Sequence, residues 1–362
     1  HRINVDNSIT TYRVKSDELG EINSLTIDSE NRIWIGTNKG KLLLFNKLTK
    51  VFKSFTVFTP DSSNKKALPV AVVKIFQVEK DKLLAGTWYS GLQQINVSLD
   101  DVQLSAYEDM NISDDRKWII TSIAKSNDAS GHFWISHYGC GLAMLDINSG
   151  NFILHKRHDP SDAKSLCHDF VNVVFTDNSG TLWVGTDEGL DKYDELSNRF
   201  SIRLISDFNK AGTVRRFPSE IIENINDSTH QSLWISVSGA GLFNYSRLDG
   251  SVKSFHHSTN RNSLLSDYVY SLYMTADGLL WIGTLDGVCT YDEKKGVFET
   301  IAINNSAEQP KSVGSIIEDR QHRLWFGSLR NGVYCYNRAT KKIIHYEHDH
   351  NDPQSLAENR VF

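Results

Sequence analysis

One phrase, "DNSGTLWVGTDEGLDKYD" at residues 177–194, constrains this chain more than any other feature, because it returns along the whole length. It recurs as "DSENRIWIGTNKGKLLLFN" from Asp28, "DASGHFWISHYGCGLAMLD" from Asp128, "DSTHQSLWISVSGAGLFNYS" from Asp227, "ADGLLWIGTLDGVCTYD" from Ala276 and "DRQHRLWFGSLRNGVYCYN" from Asp319. A degenerate copy, "EKDKLLAGTWYSGLQQIN", begins at Glu79. The tryptophan position serves as a ruler: Trp34, Leu84, Trp134, Trp183, Trp234, Trp281 and Trp325 follow at intervals of 50, 50, 49, 51, 47 and 44 residues. A period of this size means that each copy is one supersecondary unit whose apolar faces are buried by its neighbours.

Within a copy the pattern is that of strands. Short runs rich in Val, Ile, Phe, Trp and Tyr alternate with Asn/Ser/Gly and Asp/Glu/Gly turns every eight to ten residues. The fourth copy divides into strands a to d at Val171–Thr176, Leu182–Gly185, Gly189–Tyr193 and Arg199–Ile205. A four-stranded antiparallel unit of about 40–50 residues is the size of a propeller blade. The expectation is therefore an all-β fold, a seven-bladed β-propeller filling residues 1–362 as a single domain. Length alone would suggest two or three domains, but the uninterrupted period argues for one. Residues 1–15 read as the end of a strand c and a strand d, either closing the ring or belonging to a second propeller. The aspartate and glycine of "DNSG" supply the turn from a to b, and the tryptophan is an apolar wedge between blades. The glycine of "GT" allows close approach of packed sheets, and the second glycine opens strand c.

Composition fits a folded repeat protein, with 40% hydrophobic and 23% charged residues and no low-complexity linker. The net charge of −5 argues against a nucleic-acid partner, which would need a basic stripe. Local clusters such as Lys65-Lys66 and Arg215-Arg216 are solvated loops or anion contacts. No apolar run approaches the ~18 residues that would span a bilayer, and nothing at the start reads as a signal peptide, which suggests a mature or excised piece. Cys140, Cys167, Cys289 and Cys335 show no CxxC spacing and read as core or incidental thiols.

Residues repeated six or seven times are scaffold, so function is sought where the copies differ. In a propeller the d–a connections and b–c turns share one face around the channel mouth. The aligned b–c turns are Thr37-Asn38-Lys39, Thr87-Trp88-Tyr89-Ser90, His137-Tyr138-Gly139-Cys140, Thr186-Asp187-Glu188, Val237-Ser238-Gly239-Ala240, Thr284-Leu285-Asp286 and Ser328-Leu329-Arg330-Asn331. Aromatic rings, amides, acids and an arginine suit a polar ligand with apolar faces, such as a sugar. The candidate ligand-binding residues are Trp88, Tyr89, His137, Tyr138, Asp187, Glu188, Arg330 and Asn331. Arg116 and Trp118 join them from a d–a connection, with Arg215 as an anion contact. Trp88 stands in a turn of the blade whose slot holds Leu84, so it is either an exposed stacking platform or a folded-back substitute for the missing tryptophan.

The paired histidines His155/His158 and His256/His257 and the group His345, His348 and His350 follow repeated phrases, so a metal reading is set aside in favour of scaffold. No GxSxG, HExxH or P-loop occurs, and no catalytic residue, metal or cofactor is assigned. The turn "TDNSGTLW" is similar to the Asp-box of sialidase-type propellers, a structural element. A propeller lyase would need a channel base, for which His137 is the b–c-turn candidate.

The stretch "HDPSDAKSLCHDFVNVVFTDNSGTLWVGTDEGLDKYD" resembles the two-component regulator propeller repeat, and "STNRNSLLSDYVYSLYMTADGLLWIGTLDGVCTYD" repeats it. WD40 and kelch signatures are absent. The resemblance implies the periplasmic sensor of a hybrid two-component protein of gut bacteria that detects a glycan-derived oligosaccharide and signals to a histidine kinase. It implies as partners that sugar, a second propeller, downstream domains of the same protein and, in the full sensor, a second copy as a homodimer. A polysaccharide-active propeller enzyme, lyase or glycosidase, and a protein-interaction propeller are the alternatives.

Overall fold

The computed structural model describes residues 2–3, 9–10, 22–47, 49–56, 71–98, 102–107, 119–128, 130–194, 199–204, 217–227, 232–260, 262–301, 310–349, 351–352, 355–356 and 358–361. Two short strands, β1 (Arg2–Ile3) and β2 (Ile9–Thr10), pair antiparallel within the segment expected to hold strands c and d. Blade one follows as β3 (Ile22–Ile27), β4 (Ile33–Thr37), β5 (Lys41–Phe45) and β6 (Phe52–Thr56). Blade two is β7 (Val72–Glu79), β8 (Lys82–Thr87), β9 (Leu92–Val97) and β10 (Val102–Tyr107). Blade three is β11 (Ile120–Lys125), β12 (His132–His137), β13 (Gly141–Asp146) and β14 (Asn151–Lys156). Blade four is β15 (Val171–Thr176), β16 (Leu182–Thr186), β17 (Gly189–Asp194) and β18 (Arg199–Leu204). Blade five is β19 (Phe217–Glu223), β20 (Ser232–Ser238), β21 (Gly241–Ser246) and β22 (Val252–Phe255). Blade six is β23 (Val269–Met274), β24 (Leu280–Thr284), β25 (Gly287–Asp292) and β26 (Val297–Thr300). Blade seven is β27 (Val313–Glu318), β28 (Arg323–Ser328), β29 (Val333–Asn337) and β30 (Lys342–Tyr346).

Each blade is a four-stranded antiparallel meander, so the fold is the all-β, seven-bladed propeller class expected. The chain forms two compact units. One spans Arg13–Ile202 and carries blades one to four up to the last strand of blade four; the other joins His1–Tyr12 to Arg203–Phe362 and carries blades five to seven.

In five blades the slot residue packs into the next. Trp34 lies with Val72 and Ile75, Trp134 with Val171 and Val174, Trp234 with Val269 and Leu272, and Trp281 with Val313 and Ile316. Leu84 takes the same place against Ile120 and Ile123. The turn aspartate has a further job that the spacing alone did not reveal. Asp177 Oδ1 accepts from the Ser179 and Thr181 amides, and its Oδ2 accepts from Trp183 Nε1 at 2.7 Å. Asp28 with Trp34 and Asp319 with Trp325 repeat the arrangement. In the longer turns of blades three and five the structural equivalents are Ser126 and Asn224, identified by the amide bonds Ser126 N to His132 O and Asn224 N to Ser232 O. The aspartates read there from sequence, Asp128 and Asp227, fall later in the turn, because an insertion shifts the motif without shifting the strands.

Candidate functional site

The b–c turns are built by the residue that ends the pairing of strand b with strand c. In five blades it is a hydroxyl residue: Thr186 Oγ1 accepts from the Glu188 and Gly189 amides, Thr284 Oγ1 from Asp286 and Gly287, and Ser328 Oγ from Arg330 and Asn331. Thr87 and Thr37 do the same for Ser90 and Lys41. His137 and Val237 lack the hydroxyl, and there the turn closes on backbone bonds, Cys140 N to His137 O and Ala240 N to Val237 O. The next residue anchors the turn to the connection entering strand a of the same blade. Trp88 N donates to Ala71 O at 2.8 Å, Tyr138 N to Ile119 O at 2.8 Å, Asp187 N to Phe170 O at 3.0 Å, Leu285 N to Tyr268 O at 2.9 Å and Leu329 N to Ser312 O at 2.8 Å. In these five blades the b–c turn therefore lies beside its d–a connection, as the sequence reading requires.

Trp88 is 45% exposed and Tyr89 56% exposed, with Tyr89 at a φ of 77° and the two rings edge to face at 6.3 Å. Leu84 is itself fully buried, so Trp88 does not fold back to replace the missing tryptophan. His137 is 2% exposed and packs against Phe152 at 5.7 Å. It lies beneath the turn and presents no ring to solvent, because the pleat sends position 137 inward and Tyr138 outward. Tyr138 meets Phe170, from the connection into blade four, at 4.7 Å. Phe170 stacks on His168 at 5.2 Å, and His168 Nε2 faces Glu188 Oε1 across 4.0 Å. Asp187 Oδ1 accepts from Asn172 Nδ2 at 2.9 Å. Tyr138, Asp187 and Glu188 are thus brought to one cluster at the junction of blades three and four.

Arg330 is exposed in the other unit, within electrostatic reach of Tyr270, whose hydroxyl is pushed up by burial and by Tyr268 and Asp286 against the opposing pull of Arg330. The Asn331 carbonyl accepts from His345 Nε2 at 2.6 Å. Arg116, Trp118 and Arg215 lie outside the described residues.

Phe170, His168, Asn172 and Tyr270 carry no turn signal, since they sit in d–a connections or on strand a. All seven blades have a register shift near the start of strand a, as between Val171 and Val173 in blade four and between Val269 and Ser271 in blade six. Such a bulge re-aims the extra residue, which is Asn172 in blade four and Tyr270 in blade six. The one available signal was an aromatic residue immediately before strand a, Phe170 and Tyr268, where other blades carry Ala71, Ile119 or Ser312.

Three of the clustered histidines make structural bonds. His158, His257 and His348 each bond through Nδ1 to a leucine carbonyl, Leu166, Leu264 and Leu356, at 2.8, 3.0 and 2.6 Å. Their amides donate to Asp169, Asp267 and Asn359 in turn. Among the described residues no group of three or more His, Cys, Asp or Glu side chains could hold a metal ion, and no helix is long and apolar enough to cross a membrane. The four cysteines form no disulfide and are buried.

The profile of the two component regulator propeller family matches residues 18–39, 165–188 and 263–286, three of the repeats described above. A curated relative, histidine kinase P4 from Formosa agariphila, is 28% identical over 369 residues, covering 99% of this chain and 22% of that protein. Among solved structures, the extracellular domain of the hybrid two component system BT4673 from B. thetaiotaomicron superposes with a TM-score of 0.61 at 18% identity, covering 98% of this chain and 49% of that one. The extracellular domain of BT3049 from the same organism gives 0.56 at 17% identity, covering 99% and 38%. The chain therefore spans about a fifth of the length of its curated relative and less than half of these two solved chains. Three of the seven repeats are thus similar in sequence to the two component regulator propeller, and the fold matches those extracellular domains.

Proposed function

We propose that this chain is the extracytoplasmic ligand-sensing region of a hybrid two-component protein, and that it binds a glycan-derived oligosaccharide on the face formed by the b–c turns. The exposed pair Trp88 and Tyr89 carries this reading, because large rings that contribute little to the core and stand on a turn suit the apolar face of a sugar. The cluster of Tyr138, Phe170, Asp187 and Glu188 adds hydrogen-bonding groups beside it. Binding energy that differs between two arrangements of the sensor shifts their populations, and a kinase across the inner membrane reads the shift. The partners in this reading are downstream domains of the same protein, a second propeller and a second copy.

Calorimetry of this chain, and of the longest soluble ectodomain containing it, against neutral, uronic and sulfated oligosaccharides tests the proposal. Saturable binding with the sugar recovered intact is the expected result. Cleavage of the sugar would replace the sensor with an enzyme, and silence from both proteins would point to a protein partner.

A further inference from the structure

The side-chain cluster at the junction of blades three and four has a fixed hydrogen-bond polarity. The Phe170 amide donates to His168 Nδ1 at 3.1 Å, so that nitrogen offers its lone pair and the ring proton sits on Nε2. Nε2 then faces Glu188 Oε1 across 4.0 Å, beyond hydrogen-bond length, and the Glu188 side chain is 62% exposed. A donor and an acceptor held this far apart are spanned by one hydroxyl, which accepts from the imidazole and donates to the carboxylate. The half-buried rings of Tyr138 and Phe170, edge to face at 4.7 Å, supply an apolar wall beside them. Arg157, on the same connection, is already paired with Asp169 at 3.3 Å, while Asp187 and Glu188 add negative charge to the rim.

We infer that this cluster is a subsite for a neutral sugar residue, with one hydroxyl bridging His168 and Glu188 and a C–H face lying on Phe170 and Tyr138. The two carboxylates exclude a uronate or sulfate from the same position by like-charge repulsion and desolvation. This inference rests on the proposal that the chain senses a glycan, and it narrows the chemical class of that glycan.

The test is calorimetry of the whole chain with cellotriose, mannotriose and xylotriose as neutral probes and with trigalacturonate and a chondroitin sulfate disaccharide as acidic ones. Wild type, Phe170→Ala, Glu188→Gln and Trp88→Ala are compared after thermal melting has checked their folding. The expected result is saturable binding of at least one neutral probe, weakened about tenfold or more by Phe170→Ala. Glu188→Gln replaces the charged acceptor of the bridging hydroxyl by a neutral one, so neutral binding weakens while the acidic probes bind more tightly than to wild type. Wild-type preference for the acidic probes overturns the inference and leaves the sensor standing. Neutral binding that Phe170→Ala leaves untouched, whether or not Trp88→Ala removes it, does the same. Silence from every probe overturns this inference and leaves the sensor to the test on the longer ectodomain, whereas cleavage of one overturns the sensor reading as well.

Discussion

Trp134 and Trp88 carry the same indole into opposite surroundings. Trp134 is fully buried against blade four, whereas Trp88 stands exposed on a turn. Trp134→Ala is expected to cost about 3–5 kcal/mol of stability, and Trp88→Ala no more than about 0.5 kcal/mol, by denaturant unfolding. Asp191 is a second residue whose surroundings decide its chemistry. It is fully buried on β17, with Oδ2 accepting from the Cys167 amide at 2.9 Å. Burial pushes its carboxyl up to about 6, against the lowering effect of the Cys167 bonds and His158. The folded state therefore keeps a proton that the unfolded chain releases near 3.8, so this group's contribution to stability falls as pH rises from about 4 to about 6 and is level above. Asp191→Asn is expected to stabilise the protein by about 1–3 kcal/mol at pH 7.5 and by nothing at pH 4, read from melting at both pH values. Equal stability at pH 7.5 would refute the buried-carboxylate account. Asp28 and Asp319 behave oppositely: burial opposes their ionisation, but bonds from the neighbouring tryptophan and arginine outweigh it and hold both below the usual carboxylate range. Their contribution is present above about 4 and is lost in stronger acid.

At the scale of the element, strand pairs explain the motif. The glycine of "GT" sits where a side chain has no room: a Cβ on Gly283 would lie 2.2 Å from Ser271 Oγ and 2.7 Å from the Val313 carbonyl oxygen of the next blade. Ser271 Oγ itself donates to that carbonyl at 3.2 Å, as Thr121 does to Val171 and Ser219 to Val269. Gly283→Ala is expected to destabilise by about 1–3 kcal/mol, because the obstacle is backbone that cannot swing away; an unchanged denaturation midpoint would show that the sheets can part. Strand identity and turn type were legible because alternation and turn residues act locally. The hydroxyl ties and the recurring bulge were not, since each joins residues of different strands or blades.

For the whole molecule, net charge and repeat number carry the argument. A charge of −5 without a basic stripe in the sequence predicts no retention on a heparin column at physiological ionic strength; retention that salt reverses would reopen a polyanion partner. The sequence by itself determined the number of blades, the strands within them and the slot tryptophans, because one local pattern repeats seven times and each copy must bury the same faces. Tertiary structure alone decided that His137 points in and Tyr138 out, that Trp88 stays outside, and that His168 and Phe170 meet Glu188 and Tyr138. Those side chains come from separate strands and blades, and the pleat and the bulge set their directions, so nothing in the order of residues along the chain records the meeting.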